Sequence, residues 1–572
     1  MSDSAPIPAK RGFDLIDAAI LAALGALIYG VIAVAREWGG QLQPVADIHL
    51  EVKYLPLYTF FSLTRGVAAY VVSVLFTFAY AYTAARVRGA ERYMLPVLDI
   101  LQSIPVLGFL PSFVLGLVHL FPRQNLGLEM ASVLMIFTGQ VWNMTFSLYG
   151  SLKSLPEDLI AVARLSKLSR WQQFLRLELP YAAPGLMWNS MMSMAGGWFF
   201  LTVAEAFVLG SHDFRLPGLG SYMSLAMERG DGRAQIMGIV AMVAMIVFLD
   251  QLVWRPALAW SQKFSAEEGE GRSADDSWFW NRIGRSRFWQ ALTRLRPAWL
   301  RSRVPAAAPS TPVQASSKLR HRFPLRFAWI ALQSALLLTV AYAAFRYLAL
   351  LRDLRLADWG NILVSTGATF GRVMIAVALA SLWAVPVGVA IGRNPRLSRI
   401  LKPINQVLAS FPAPMLFQLV IGVVIALGGG LGIGSIFLLL LGTQWYVLFN
   451  VIAGASGIPK ELWEVAQLGR WSLAARWKKL ILPGVFPSLV TGWITATGGA
   501  WNASIVAEYL PYHGKTLTTV GLGALISEAT DKGQFHLLAA AVGVMALLVV
   551  SFNRLVWRPL SALAQNRYSL SV

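Results

Sequence analysis

A chain of 572 residues that is 56% hydrophobic and only 14% charged, with a mean hydropathy of +0.56, falls outside the soluble globular classes, in which about 25% of residues are charged. Cysteine is absent, which excludes disulfides, thiolate chemistry and cysteine-based metal sites, and the six histidines fall in no metal-binding spacing. The formal charge of +20 sits mostly between apolar runs, the pattern of basic loops facing anionic lipid and not of a nucleic-acid surface.

A bilayer crossing needs about 20 apolar residues and tolerates internal Gly and Pro. Taken in order, such runs are expected at 15–35, 61–85, 97–120, 128–150, 184–208 and 235–256, then at 326–348, 366–391, 403–428, 432–455, 487–509 and 533–556. The first is preceded by Lys10 and Arg11, lacks a small-residue cleavage site and is followed by further spans, so it reads as an anchored span and not a removed signal peptide. Lys10, Arg11, Arg86, Arg88 and Arg92, then Lys153, Arg164, Lys167, Arg170 and Arg176, occupy alternate connections, while those between hold little net positive charge. The positive-inside rule therefore predicts both termini in the cytoplasm, and Arg393, Arg396, Arg399, Lys460, Arg470, Arg476, Lys478 and Lys479 repeat the pattern in the second half.

The stretch 257–325 differs in character. AEEGEG at 266–271 and PAAAPSTP at 305–312 read as flexible chain. Between them Trp278, Trp280, Trp289 and Trp299 interleave with Arg282, Arg285, Arg294 and Arg296, which fits an interfacial helix on the inner leaflet or a solvated basic tether.

The two halves are copies. Arg65, Pro96 and Pro105 recur as Arg372, Pro403 and Pro412 at an offset of 307. The offset then becomes 303 and carries Pro156, Ala163, Pro180, Pro184, Gly196, Trp198, Ala204 and Glu205 onto Pro459, Ala466, Pro483, Pro487, Gly499, Trp501, Ala507 and Glu508. GLG at 218–220 and LVWRP at 252–256 recur at 521–523 and 555–559. An even number of spans per copy makes the repeats parallel. The expected fold is an all-α polytopic membrane protein of two parallel six-helix repeats, about 12 transmembrane helices in all. Its divisions are a first repeat at 1–256, a cytoplasmic linker at 257–325 and a second repeat at 326–572.

Between the fourth and fifth spans of each copy lies a cytoplasmic loop, Pro156 to Pro184 and Pro459 to Pro487. Each opens with Pro followed by acids, which favours a helix start, and continues as a short amphipathic helix with a second short helix leading into Pro180 or Pro483. Such a pair either seals the bundle or is displayed to soluble partners. Glu464, Val465, Ala466, Leu482 and Pro483 carry an E-A-A signature with the Pro of a Leu-Pro pair nineteen residues after the Glu; Ala161, Val162, Ala163, Leu179 and Pro180 carry its counterpart. With RWQQF at 170–174, ELP at 178–180, the Ala-Glu pairs and the GLG triplets, the chain resembles the permease subunits of bacterial ATP-binding-cassette importers, in particular the nitrate/sulfonate/taurine branch. It departs at Ala161, where the signature has Glu, and at Lys167 and Arg470, where the signature has Gly; Gly469 sits one position early. Since the signature Gly permits a sharp turn, a different loop geometry or different subunit contacts are expected there.

The resemblance implies a fused two-copy permease in the bacterial inner membrane, moving a small solute such as nitrate, a sulfonate or taurine inward. It implies two cytoplasmic ATP-binding subunits docked on the loops, a periplasmic or lipid-anchored solute-binding protein, and ATP and magnesium in the partners only. The chain has no phosphate-binding G-x-x-x-x-G-K-[ST] loop, so no cofactor or catalysis of its own is expected, and no nucleic-acid partner. An ion-coupled 6+6 secondary transporter is the alternative; it leaves the duplicated loop unexplained. Within the membrane, Glu205 and Glu508 lie 21 residues after Pro184 and Pro487, about 30 Å of helix. That places them near the outer surface, as an outer gate or as caps and ion-pair partners of neighbouring helices. Trp198 and Trp501 with Gly196 and Gly499 suggest a narrow point; Asn502 opposite Phe199 makes any pathway asymmetric there. Arg65 and Arg372, at the outer ends of the second spans, either supply positive charge there or, as is the preferred expectation, snorkel to headgroups.

Overall fold

A computed structural model of the protein describes residues 15–39, 47–87, 89–122, 124–209, 212–264, 338–339, 341–342, 344–512 and 515–568. They belong to two compact units. In one, residues 15–29 and 344–351 are helical. The other, from Gly30 to Asp275 and from Arg355 to Val572, holds both copies of the repeat. The aromatic-arginine stretch at 278–299 and most of the run at 326–348 lie outside the described residues, as do both termini.

Helix α1 (Leu15–Trp38) leads into the first copy, which continues with α2 (Leu55–Arg86), α3 (Ala90–Ser103), α4 (Leu110–Leu120) and α5 (Leu126–Lys153). The loop helix α6 (Glu157–Leu165), the long α7 (Leu179–Glu205), the short α8 (Leu219–Glu228) and α9 (Gly232–Leu249) complete it. The second copy repeats the order: α10 (Leu356–Arg393), α11 (Pro395–Ser410), α12 (Phe417–Ala426), α13 (Leu431–Ser456), α14 (Lys460–Leu468), α15 (Leu482–Ala507), α16 (Leu522–Asp531) and α17 (Phe535–Phe552). Among the described residues the fold is all-α apart from two small antiparallel ribbons, Val208–Leu209 with His212–Asp213 and Tyr509–Tyr512 with Lys515–Thr518, one after each long helix. Among the described residues, six helices are long and apolar enough to cross a bilayer.

In both copies the first helix of the core and the fourth run side by side in the same direction. Arg65 of α2 pairs with Glu129 of α5, and Thr77 lies 3.1 Å from Thr145 further along. Small residues let the equivalent pair in the second copy approach: a Cβ on Gly388 of α10 would meet Val451 of α13 at 2.8 Å. The parallel course means that the chain between these helices returns across the layer. It does so through a broken element where a continuous span is expected at 97–120 and 403–428. Ile104–Pro105 and Phe411–Pro412 are extended, with ψ between 106° and 129°, and α11 meets the segment Ala413–Ala426 at 84°. The cause is local: proline disfavours helical geometry in the residue before it. Hydropathy does not see such a break, because the two arms of the second copy taken together still read as one apolar run.

Candidate functional site

The duplicated loops fold as the periodicity indicates. Pro156 and Pro459 precede α6 and α14, and acids (Glu157 and Asp158; Glu461) sit in the first turns, where the helix dipole favours them. Of the apolar face only Ala163 and Ala466 turn inward; Leu165 and Leu468 are 81% and 84% exposed, and Val162, Trp171, Val465 and Leu473 are exposed as well. Ala161 and Glu464 are exposed at equivalent places. Pro180 and Pro483, half-buried, lie in the first turns of α7 and α15.

At the place of the signature glycine both loops make a left-handed turn on a non-glycine residue. Lys167 and Arg470 adopt left-handed backbone with φ of 51° and 48°. The next residue's N–H then closes back on the helix, Leu168 to the Ala163 carbonyl at 3.2 Å and Trp471 to the Ala466 carbonyl at 3.1 Å. Gly469 stays in ordinary backbone with φ of −72°. Each left-handed non-glycine residue costs about 1–2 kcal/mol, so this turn is retained against a local penalty. Ser169 and Ser472 then cap the second short helices, through N–H donation from Gln172 and Ala475.

The loops are tied to the bundle differently. In the first copy Arg86, at the end of α2, donates to Glu178 at 2.7 Å. In the second, isoleucine stands at the equivalent place, Ile481, and the equivalent arginine, Arg393, lies over the Trp463 ring of α14 at 3.7 Å.

At the other end of α7 and α15 sit Glu205 and Glu508, fully buried. Arg65 Nη1 donates to Glu205 Oε1 at 2.7 Å and to the Pro217 carbonyl at 2.7 Å; its Nε and Nη2 make two 2.6 Å bonds to Glu129. The Ser62 hydroxyl and the Gly220 N–H also donate to Glu205, so its carboxylate caps α8. In the second copy Arg372, Thr369 and the Gly523 N–H donate to Glu508 at 2.8–2.9 Å. The GLG triplets follow from this packing: a Cβ at Gly218 or Gly521 would meet the carboxylate at 2.4 or 2.2 Å. The expectation that Arg65 and Arg372 reach headgroups is corrected. Arg65 is 1% exposed and Arg372 13%, each held by a carboxylate far away in sequence. Sequence reasoning misses Glu129, which hydropathy leaves inside an apolar run; its replacement by Gly432 in the second copy is the signal that it is a special position.

Trp198 and Trp501 are buried within their own copies; a Cβ on Gly66 would meet Trp198 at 2.7 Å, and Trp501 packs beside Phe370. Asn502 reaches the other copy. Its Oδ1 accepts from the Val106 N–H at 2.8 Å and the Leu107 N–H at 3.4 Å, the donors that the break after Pro105 leaves free. At the equivalent place on the other side Phe199 has no acceptor to offer, and there the chain has Pro414 where the first copy has Leu107, so one of the two donors does not exist.

Between the copies, α7, α11, α13 and α15 enclose a cavity of about 70 Å³. Its walls are largely aromatic: Phe199, Phe200, Phe411, Trp445, Tyr446 and Phe449. Gly196, Gly499 and Asn502 line it; Trp198, Glu205, Trp501 and Glu508 do not. The described residues contain no cluster of metal-ligating side chains.

Comparison with known proteins agrees with the duplication. The family described as "Binding-protein-dependent transport system inner membrane component" matches twice, at residues 73–253 and 384–557. Similar chains include the taurine transport system permease protein of Escherichia coli, 29% identical over 185 residues, which are 32% of this chain and 62% of that one. The nitrate import permease protein of Leptolyngbya laminosa is 26% identical over 189 residues, 33% of this chain and 64% of that one. The bicarbonate transport system permease protein of Synechocystis is 28% identical over 187 residues, 32% and 64%. The match thus spans just under two thirds of these relatives' length. Since the family match covers most of the chain and falls once in each repeat, the chain belongs to the binding-protein-dependent transport system inner membrane components, as a duplicated transport permease and not an enzyme.

Proposed function

We propose that the chain is the membrane permease of an ATP-driven importer for a small anion, with both permease copies on one polypeptide. Two cytoplasmic ATP-binding subunits dock on the loops at 156–184 and 459–487, and a periplasmic or lipid-anchored binding protein delivers the solute at the opposite face. The observation that carries this reading is the pair of loop helices, each presenting exposed leucines beside basic residues once per copy. Exposed apolar side chains at a helix tip gain most from burial against a partner. The named cargoes of the relatives, taurine, nitrate and bicarbonate, support a small anionic or zwitterionic solute.

In this reading the chain has about 12 spans, with divisions at 1–256, 257–325 and 326–572, and both termini and the linker are cytoplasmic. The parallel course of α2 and α5 supports counting α3 and α4 together as one crossing: Arg86 meets Glu178 and Lys153 meets Glu91 at one end, while Arg65 meets Glu129 at the other. Glu205 and Glu508 hold the outer ends of the long helices and so shape an outer gate through α8 and α16. Reconstitution with the ATP-binding subunits and binding protein tests the proposal. Uptake should require all components and ATP; uptake by this chain alone, driven by an ion gradient, would establish a secondary transporter instead. Single cysteines at Ser265 and Ser310 should be labelled from the cytoplasm only.

A further inference from the structure

The cavity between the copies is not symmetric in chemistry. On its second-copy side stand the Gln406 amide, on α11, and the Tyr446 hydroxyl, on α13. Among the described residues neither side chain has a hydrogen-bond partner, although Gln406 is 7% exposed and Tyr446 sits where a Cβ on Gly196 of α7 would touch its hydroxyl at 3.6 Å. Tyr446 is half-buried, and two polar groups without protein partners that face the same space can bond a ligand or water there. No charged side chain lines the cavity.

The repeat shows what is particular about this side. Residues equivalent to Gln406 and Tyr446 in the first copy are Asp99 and Asn143. Asp99 would repel an anion, and it is engaged elsewhere, with Asn553 at 3.5 Å. The cavity forms where the carboxylate position is a neutral amide. Asp250 lines a smaller neighbouring cavity that also touches Gln406, and its carboxylate is taken up by Arg255 and Gln251, each at 3.1 Å.

We infer that this cavity is a cargo-binding station, and that Tyr446 and Gln406 hold a small oxyanion group by neutral O–H and N–H donation without an ion pair. The inference rests on the importer reading and deepens it. Neutral donors suit a station that must release: a buried arginine or lysine would bind a desolvated anion too tightly to let it pass. Six aromatic side chains line the cavity, and Asn502 stands beside the two donors with its own amide engaged by the Gly498 carbonyl and the Val106 N–H. The cavity has room for several waters or a small solute group.

The test uses the full chain in lipid nanodiscs without ATP or partners, with nitrate and methanesulfonate as probes and gluconate as the ionic-strength control. Saturable protection against thermal unfolding reads occupancy. Tyr446→Phe and Gln406→Leu should each weaken apparent affinity about three- to tenfold, the loss of one net hydrogen bond, and the double variant should remove saturation. Asn143→Ala, at the equivalent place in the first copy, should bind as wild type, and unliganded melting points report that each variant folds. Wild-type affinity in the double variant overturns the inference, as does absence of saturable protection in wild type or preference for tetramethylammonium, the occupant that the ring faces alone would favour. Failure of the importer reading is separate: it would appear as no ATP-driven uptake in the reconstituted system, whatever these binding results.

Discussion

The two copies share a backbone plan and differ in how each fixes its charges. In the first, Arg65 serves two buried carboxylates, Glu129 and Glu205; in the second, Arg372 serves Glu508 alone, and the place of Glu129 is taken by Gly432, whose carbonyl lies 3.3 Å from Arg372 Nε. The first loop is held by the Arg86–Glu178 ion pair, the second by Arg393 over Trp463. The break after Pro105 is capped by Asn502 from across the interface, while the break after Pro412 needs less capping because of Pro414. Homodimeric symmetry would have made each of these equal. Joining two copies in one chain lets the halves diverge wherever a change in one is met by a change in its neighbour, and the outcome is a molecule whose two loops and two buried glutamate sites are not interchangeable.

The largest inequality is expected at the arginines. Arg65→Leu leaves two uncompensated buried carboxylates and should cost about 3–5 kcal/mol or prevent folding, as breaking buried pairs does. Arg372→Leu strands one carboxylate that keeps its Thr369 and Gly523 bonds and should cost less. Thermal unfolding and monodispersity in detergent measure both; equal losses would mean that Glu129 adds nothing to the difference.

Coupling comes next. Glu464 is exposed and Ala161 stands at its equivalent. A charge-assisted bond from Glu464 to a docked subunit would contribute about 1.5–3 kcal/mol, so Glu464→Ala should weaken motor affinity tenfold or more while the chain stays folded, and Ala161→Glu should be tolerated. Unchanged affinity for Glu464→Ala would place docking on the exposed apolar face around Leu468.

A smaller effect distinguishes the two breaks. Asn502→Leu leaves the Val106 and Leu107 N–H groups unpaired at about 1–3 kcal/mol, whereas Phe199→Leu should cost less through lost packing alone. Adding Leu107→Pro to Asn502→Leu copies the second break and should recover part of the stability; no recovery would show that Pro414 is not compensating. Smallest, Lys167→Gly and Arg470→Gly should each stabilise the turn by about 1 kcal/mol, since glycine adopts positive φ without penalty. A loss in melting temperature at either site would contradict the strained-turn account.

Much of the fold and of the loops is legible in the order of the residues. The repeat, the loop helices, their opening prolines and the glutamates at the far ends of the long helices all follow from ordered matches and helical periodicity. Ala161, Ala163, Pro180, Glu464, Ala466 and Pro483 occupy equivalent loop positions as the offset requires. At the glycine departures the hydrogen bonds of the helix end hold Lys167 and Arg470 in the left-handed region that local preference opposes, which spacing alone does not reveal. Of the narrow-point residues, Asn502 with Gly196 and Gly499 reaches the cavity and the tryptophans do not, because sequence spacing places a residue on a helix without saying which neighbour that face meets.

The sequence by itself determined that this is a membrane protein, that it is one unit written twice, and which loops and carboxylates are paired by the repeat. Those conclusions rest on apolar length, charge asymmetry and spacing, which are local or cumulative properties of the chain. Only the tertiary structure decided that Arg65 is buried between acids 64 and 140 residues away, that the helices are interrupted at Pro105 and Pro412, that Asn502 caps the opposite copy, and that Tyr446 and Gln406 share one cavity. Hydropathy reports how apolar a segment is and not whether it faces lipid or protein, and a buried polar side chain is tolerated only where a distant partner meets it, so these features exist only once the helices are packed.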